Sequence, residues 1–331
     1  MPLHRRWSEA ELLPEVLHEW RVLLKEQAGM VLWSQLRRLG LSSEDVEANV
    51  KAQRWTRVLP RVYATFTGEL SRDAKLHAAL LYGGGEAVLS HSSAAEEWGM
   101  VPITDRPVDI TVPYTSSAIS QLPLVRVHRS RAIRHSVVAT FPPRTKRTDT
   151  ILDLASAQPT AKEAKYTVVD LLTRHRVDAD TMRACFELRP PHRHRGAIKQ
   201  GIQLVRVGFM SGLEVEYTEG VEGRHGLPVG DRQVPVVVDG KRLWEDCTYD
   251  SSGAAVTVRL DGRRDHATAG VAFRDRRRDN AAEIAGRARL VYGWRDVHED
   301  PCAVAAEVRA VLLREGWRPG PDDVVRCEKC S

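Results

Sequence analysis

Val256-Thr-Val-Arg-Leu-Asp-Gly-Arg-Arg-Asp-His266 is the stretch on which the reading of this chain turns. A β-rich run, Ala254–Leu260, ends in Asp261-Gly262, and a second run, Leu243–Tyr249, carries Asp246 just upstream. Ser251-Ser-Gly253 supplies a turn between them, so the two runs are predicted to be antiparallel neighbours. The Asp246 carboxylate and the groups around Leu260 and Asp261 then converge at one strand end. Oxygen donors gathered in this way suit a hard cation such as magnesium beside a phosphate. His266 follows within a turn and has the near-neutral titration that a general acid or base requires. Taken singly, Asp-Gly is a common turn dipeptide and a lone histidine is commonly a surface residue.

Outward from this stretch the pattern stays regular. Val234–Val238 precedes the Asp246 run through a tight Asp239-Gly240 turn. A helix over Leu213–Val221 carries Glu214, placed to hold a water at the same site. A helix from Thr268 to Ala285, a strand from Ala288 to Trp294, and a last helix capped by Asp300 complete the order helix, three strands, helix, strand, helix. Pro301 at the first position and Gly316 beyond the end punctuate that last helix. Arg276 and Arg277, in the run Arg274–Asn280, are candidates for clamping phosphate, although such a run also makes an ordinary solvated helix face.

The amino-terminal residues give three helices and then a hairpin. Leu12, Leu13, Val16, Leu17, Trp20, Leu23 and Leu24 recur at helical spacing up to Gly29. Trp33–Leu39 forms a second helix, and Ser42 or Ser43 caps a third, Glu44–Gln53. Trp55–Val58 and Val62–Phe66 are short strands. This is the order of a winged helix-turn-helix. The third helix opens on Glu44, Asp45 and Glu47, which repel phosphate. DNA contact is therefore predicted from Lys51, Gln53 and Arg54 at its far end and from Arg57 and Arg61 of the wing. A winged helix that binds protein is the competing reading.

Between these parts, residues 68–208 mix buried helices (Ala74–Tyr82, Ser90–Gly99), short strands over Val108–Val138 and further helices over Asp149–Phe186 and Ile198–Val207. Gly83-Gly84-Gly85 lacks the lysine and hydroxyl residue of a phosphate-binding loop and reads as a loop or a helix cap. The net charge is only +5, but arginine clusters around 126–134, 189–195 and 274–289. No apolar run approaches the about 20 residues of a membrane span, and no apolar leader follows His4-Arg5-Arg6, so a cytoplasmic location is expected. The five scattered cysteines make no disulfide framework. Cys327-Glu-Lys-Cys330 has the spacing of half a zinc site; with no second pair to match, it reads as a frayed tail with free thiols.

Glu214, Asp246, the Asp261-Gly262 step, His266, the Asp275–Asp279 run and the strand ending Gly293-Trp294 together resemble an actinobacterial domain of the restriction-endonuclease-like PD-(D/E)XK superfamily. That domain is similar to very-short-patch-repair (Vsr) endonucleases and covers about the last third of the chain. Met30–Phe66 resembles the DNA-binding domain of AbiEi-type antitoxins, and Ser90-His-Ser-Ser-Ala-Ala95 recurs in proteins that join the two parts. The resemblance implies an α+β multidomain protein: a winged helix-turn-helix over 1–67, a mixed α/β middle region over 68–208, and a restriction-endonuclease-like αβββαβα domain over 209–331. It implies Asp246 as the principal magnesium ligand with the Leu260 carbonyl, His266 assisting hydrolysis, and Glu214 and Asp261 in the catalytic set. One residue departs from the pattern. Where such domains commonly read Glu-x-Asp-Gly, this strand has Arg259, whose guanidinium repels a cation. The Vsr-like pattern does without that glutamate. The function implied is a DNA-binding regulator with magnesium-dependent phosphodiester hydrolysis. The alternative is a non-catalytic DNA-binding regulator, or an antitoxin that neutralises a cognate toxin protein, with a degenerate nuclease fold.

Overall fold

The computed structural model describes residues 14–189, 192–261, 277 and 280–330, so the predicted site residues His266 and Arg276 lie outside it. The protein is mixed α/β, and its chain divides into two compact units, Met1–Leu154 and Ala155–Ser331.

In the first unit, α1 (Pro14–Glu26) buries Trp20, which stacks on Trp55 with ring centroids 6.0 Å apart. After Gly29 comes β1 (Met30–Leu32), a strand too short for its alternation to register in the sequence. α2 (Trp33–Arg38) and α3 (Ser43–Lys51) follow. Ser42 is the cap of α3: its hydroxyl accepts from the Asp45 amide at 3.2 Å, and the Asp45 carboxylate accepts from the Ser42 amide at 2.9 Å. β2 (Thr56–Leu59) and β3 (Val62–Ala64) then form an antiparallel hairpin, and the sheet order is β1-β3-β2.

Next come α4 (Arg72–Gly83), β4 (Val88–Leu89), α5 (His91–Glu97), β5 (Val108–Pro113), β6 (Val125–Ser130), α6 (Ile133–Ser136), β7 (Val137–Val138), β8 (Arg144–Thr145) and α7 (Arg147–Ser156). Their five strands form a mixed sheet in the order β6-β5-β4-β8-β7. The triple glycine does end α4, with Gly84 as its cap. Met30, Val62 and Ala64 share one core with Ala74 and Ala78 of α4 and with Ile110 and Val112 of β5. Packing is thus continuous through residue 67.

The second unit begins with α8 (Ala161–Arg174), α9 (Ala179–Leu188) and α10 (Arg195–Arg206). Tyr166 and Val169 of α8 pack against Val215, which binds the helical part of the 68–208 region to the elements after it. α11 (Gly212–Glu216), a π-helical stretch (Tyr217–Glu222) and α12 (Gly223–His225) run on from one another. β9 (Asp231–Val238), β10 (Lys241–Thr248) and β11 (Val256–Asp261) make an antiparallel meander. β12 (Ala288–Gly293) adds in parallel to β11, giving the order β12-β11-β10-β9. α13 (Trp294–Glu299) and α14 (Pro301–Arg314) close the unit. Leu213, Tyr217 and Val221 meet Val256, Val258 and Leu260 of the sheet and Val297, Val304 and Val308 of the last helices. Each such apolar side chain contributes about 1.5–3 kcal/mol on burial. This core sets the helix that carries Glu214 against the sheet that carries Asp246.

The carboxyl-terminal tail is not frayed. Val325 bridges to His225, the Arg326 amide donates to the Arg224 carbonyl at 2.7 Å, and Cys327 is buried. Among the described residues, no helix is long and apolar enough to cross a membrane.

Candidate functional site

Three of the residues singled out in the sequence come together in the second unit. The Leu260 amide donates to Asp246 Oδ2 at 2.9 Å, which ties Asp246 of β10 to the end of β11. Successive peptide groups of a strand alternate between its two edges, and a residue's N–H and C=O share an edge. The Val256 carbonyl accepts from Tyr249, and the Ala255 carbonyl from Ala288 of β12. The Leu260 carbonyl, in step with Val256, therefore faces the β10 side, where Asp246 lies.

Glu214 joins them from α11. It is 3% exposed and accepts from the Met210 amide at 3.1 Å, from Gln233 Nε2 at 3.1 Å and from the Ser211 hydroxyl at 3.4 Å. Burial pushes its carboxyl up to about 7; the nearby Asp246 charge adds to the rise, against the Met210 amide and Arg232, which lower it. Gln233 gave no signal in the sequence. It sits within β9 at φ 51, in the left-handed region that a strand residue rarely adopts. The β9–β10 register, continuous on either side, sets it opposite Asp246. Off-pattern backbone of this kind gathers at sites where a side chain must be re-aimed, and here the amide is aimed at Glu214.

Beneath the carboxylates lies a buried ionic cluster. Glu222 is 0% exposed and is ion-paired to Arg232. It also accepts from the Gly230 amide at 3.1 Å and from the Tyr249 hydroxyl at 2.7 Å. Arg232 further donates to Thr218 Oγ1 at 2.6 Å and to the Cys247 sulfur. The π-helical stretch presents Thr218 and Glu222 to this cluster, one and two turns on from Glu214.

The other predicted residues are placed as follows. Asp261 is exposed at the end of β11, across from Gly293 of β12. Extending the β10–β11 register by one residue beyond Cys247–Val258 sets Arg259 opposite Asp246. Arg277 is held by both oxygens of Asp239, each at 2.7 Å, at the tip of the β9–β10 hairpin. In the first unit Lys51, Gln53, Arg54, Arg57 and Arg61 are all exposed. Arg57 pairs with Glu47 and lies over the Tyr63 ring at 5.6 Å, and Arg54 Nε donates to Asn49 at 2.7 Å. Val50, Gln53, Trp55, Thr56, Arg57 and Thr67 line a shallow depression of about 440 Å³.

A second polar cluster, in the first unit, explains the Ser90–Ala95 motif. Asp109, 2% exposed on β5, accepts from His128 at 2.9 Å and from the Ser92 hydroxyl, while Ser93 Oγ accepts from the Asp109 amide at 2.9 Å. His91 stacks on His128 with centroids 3.7 Å apart and holds φ 48 at the start of α5. Burial would raise the Asp109 carboxyl, but the His128 and Ser92 hydrogen bonds outweigh it and hold it below its ordinary value. The serines thus fasten α5 to the strand beside it.

No family model matches the chain, and no curated protein is significantly similar to it in sequence.

The Glu214 environment has a measurable consequence. Between about pH 4.5 and 7 the unfolded chain has released a proton that the folded chain keeps, so stability falls as pH rises through this window. A rise from 4.5 to about 7 corresponds to about 3 kcal/mol lost by pH 8. Urea denaturation of a Glu214→Gln variant between pH 5 and 8 should lack that slope; parallel pH profiles for variant and wild type would contradict it.

Proposed function

We propose that this protein binds DNA through its amino-terminal elements and that residues 209–331 form a restriction-endonuclease-like domain hydrolysing DNA phosphodiesters with magnesium. The observation that carries the catalytic reading is the meeting of Asp246, the Leu260 peptide group and Glu214 at one strand end. The element order around that point, a helix, three antiparallel strands and a strand added in parallel, supports the same domain type. For the first unit, the succession α1-β1-α2-α3-β2-β3 with sheet order β1-β3-β2 supports a winged helix, with the cations of the third helix and the wing exposed.

The donors offered by Asp246, the Leu260 carbonyl and Glu214 are all oxygens, which fits magnesium. Asp246 and the Leu260 carbonyl would hold the ion, and Glu214 would hold a water beside it. Bound there, magnesium supplies charge neutralisation at the scissile phosphate and a more acidic water. Glu214, whose carboxyl is raised by burial, would be placed to exchange a proton with a water held there.

A second reading rests on Arg259. Its place opposite Asp246 puts a fixed positive charge where a cation would bind, and this favours a regulator, or a toxin-neutralising antitoxin, whose nuclease fold does not cleave.

Two measurements test the proposal. Supercoiled plasmid is incubated with the full chain in magnesium and in chelator; nicking that requires magnesium is expected, and intact plasmid under all divalent ions would leave the regulator reading. DNA affinity is then measured against salt. A steep fall is expected, and Lys51→Ala and Arg61→Ala should each reduce the log–log slope by about 0.9 for each phosphate no longer neutralised. Variants that bind with the wild-type slope would remove these residues from the interface.

A further inference from the structure

His225 ends α12, Cys302 opens α14, and Cys327 and Cys330 lie in the carboxyl-terminal tail. The geometry points to a structural zinc ion bound by His225 Nε2 and the three sulfurs of Cys302, Cys327 and Cys330. The four ligand atoms all lie within 4.8 Å of one another. The Cys302 and Cys327 sulfurs are 3.7 Å apart. A tetrahedral zinc with bonds of about 2.3 Å to sulfur sets its sulfurs about 3.7 Å apart.

The histidine is prepared for such an ion. His225 is 4% exposed, and its Nδ1 lies 2.9 Å from the Val221 carbonyl. A carbonyl can only accept, so Nδ1 carries the proton and Nε2 offers its lone pair to the thiols. Nε2 is buried and has no hydrogen-bond partner. A buried polar atom left in this state costs free energy unless something else engages it.

The surrounding backbone is built to hold the cluster. The Cys330 amide donates to the Cys327 carbonyl at 3.0 Å, closing the Cys-x-x-Cys turn. Arg309 donates to the His225 carbonyl at 2.6 Å and to that of Gly226 at 3.2 Å. Gly226 takes φ 58, and a Cβ there would come within 2.5 Å of the Asp323 carbonyl oxygen, so only glycine lets the tail lie against α12. With four protein ligands, no position is left open for substrate, which marks the site as structural rather than catalytic. The ion would pin the tail and α14 to the helical stretch that carries Glu214 at its other end. This inference is independent of the proposed nuclease activity.

The test is metal content of the full chain, purified under reducing conditions from zinc-supplemented cells. One zinc per chain is expected by elemental analysis, and replacement by cobalt should give the thiolate charge-transfer and intense visible absorption of a tetrahedral centre. Cys330→Ser, at an exposed position, should lower zinc affinity by about a hundredfold or more, at least what loss of an outer-shell partner costs. Cys185→Ser, remote from the cluster, should leave it unchanged. A folded wild-type chain without zinc, with iron in its place, or with Cys302 and Cys327 joined in a disulfide would overturn the proposal, as would undiminished zinc affinity in Cys330→Ser. The wild-type metal content and cobalt spectrum need no variant, so they decide the question even where a substituted chain misfolds.

Discussion

Arg232→Met is expected to destabilise the second unit by about 3–5 kcal/mol, the cost of removing one partner from a buried ion pair. Glu222 is 0% exposed, and Arg232 is its charged partner, with only 10% of the guanidinium side chain exposed. The Gly230 amide and the Tyr249 hydroxyl would still reach the carboxylate, but they are neutral dipoles and leave its charge uncompensated. Thr218 and Cys247 would lose a donor as well. Methionine approximates the volume of the lost side chain, so the effect reports charge and hydrogen bonding more than an empty space. The measurement is the midpoint of urea denaturation. Adding Glu222→Gln to Arg232→Met should recover much of the loss, since the charge that needed a partner is gone. If Arg232→Met alone shifts stability by less than about 1 kcal/mol, the pair contributes no more than a single net hydrogen bond and the prediction fails.

The sequence is most readable where one residue's chemistry fixes one backbone shape. Asp239 and Gly240 both take positive φ, 50 and 72, as the hairpin turn requires. Asp300 caps the last helix by accepting from the Ala303 amide at 3.1 Å, with Pro301 behind it. The meeting of Asp246 and Leu260 follows from a hairpin register set by that same turn logic. Three things stay hidden. β1 is three residues long, too short for any period. The left-handed Gln233 aims its amide at Glu214 on a separate helix, and glutamine carries no mark of that contact. The zinc ligands come from three elements, and neither His225 nor Cys302 has a neighbouring ligand in sequence to suggest a pair. The tail looks free in sequence because its second half-site is assembled only by folding.

The largest expected effect on activity is at Asp246. Asp246→Asn keeps an oxygen that can accept from the Leu260 amide, so the strand end should hold its shape while the negative charge is lost. A metal ion contributes several kcal/mol of charge stabilisation in the transition state; losing about 4 kcal/mol slows cleavage about a thousandfold. Plasmid nicking in magnesium, with the variant's unfolding midpoint alongside, measures this, and cleavage retained by a well-folded variant would assign the activity to something other than this carboxylate. Arg259→Glu tests the same electrostatics from the opposite side. In register opposite Asp246, a carboxylate in place of the guanidinium turns repulsion of the cation into attraction. The magnesium concentration for half-maximal cleavage should then fall by about tenfold, which corresponds to about 1.4 kcal/mol, a modest share of the interaction between unit charges a few ångströms apart near a protein surface. Wild type and Arg259→Glu both inactive would mean that the strand end no longer holds a cation at all, and the carboxylates there would be left with a structural part to play. An active Arg259→Glu beside a feeble wild type would mean that one side chain separates a binding protein from a nuclease on this fold.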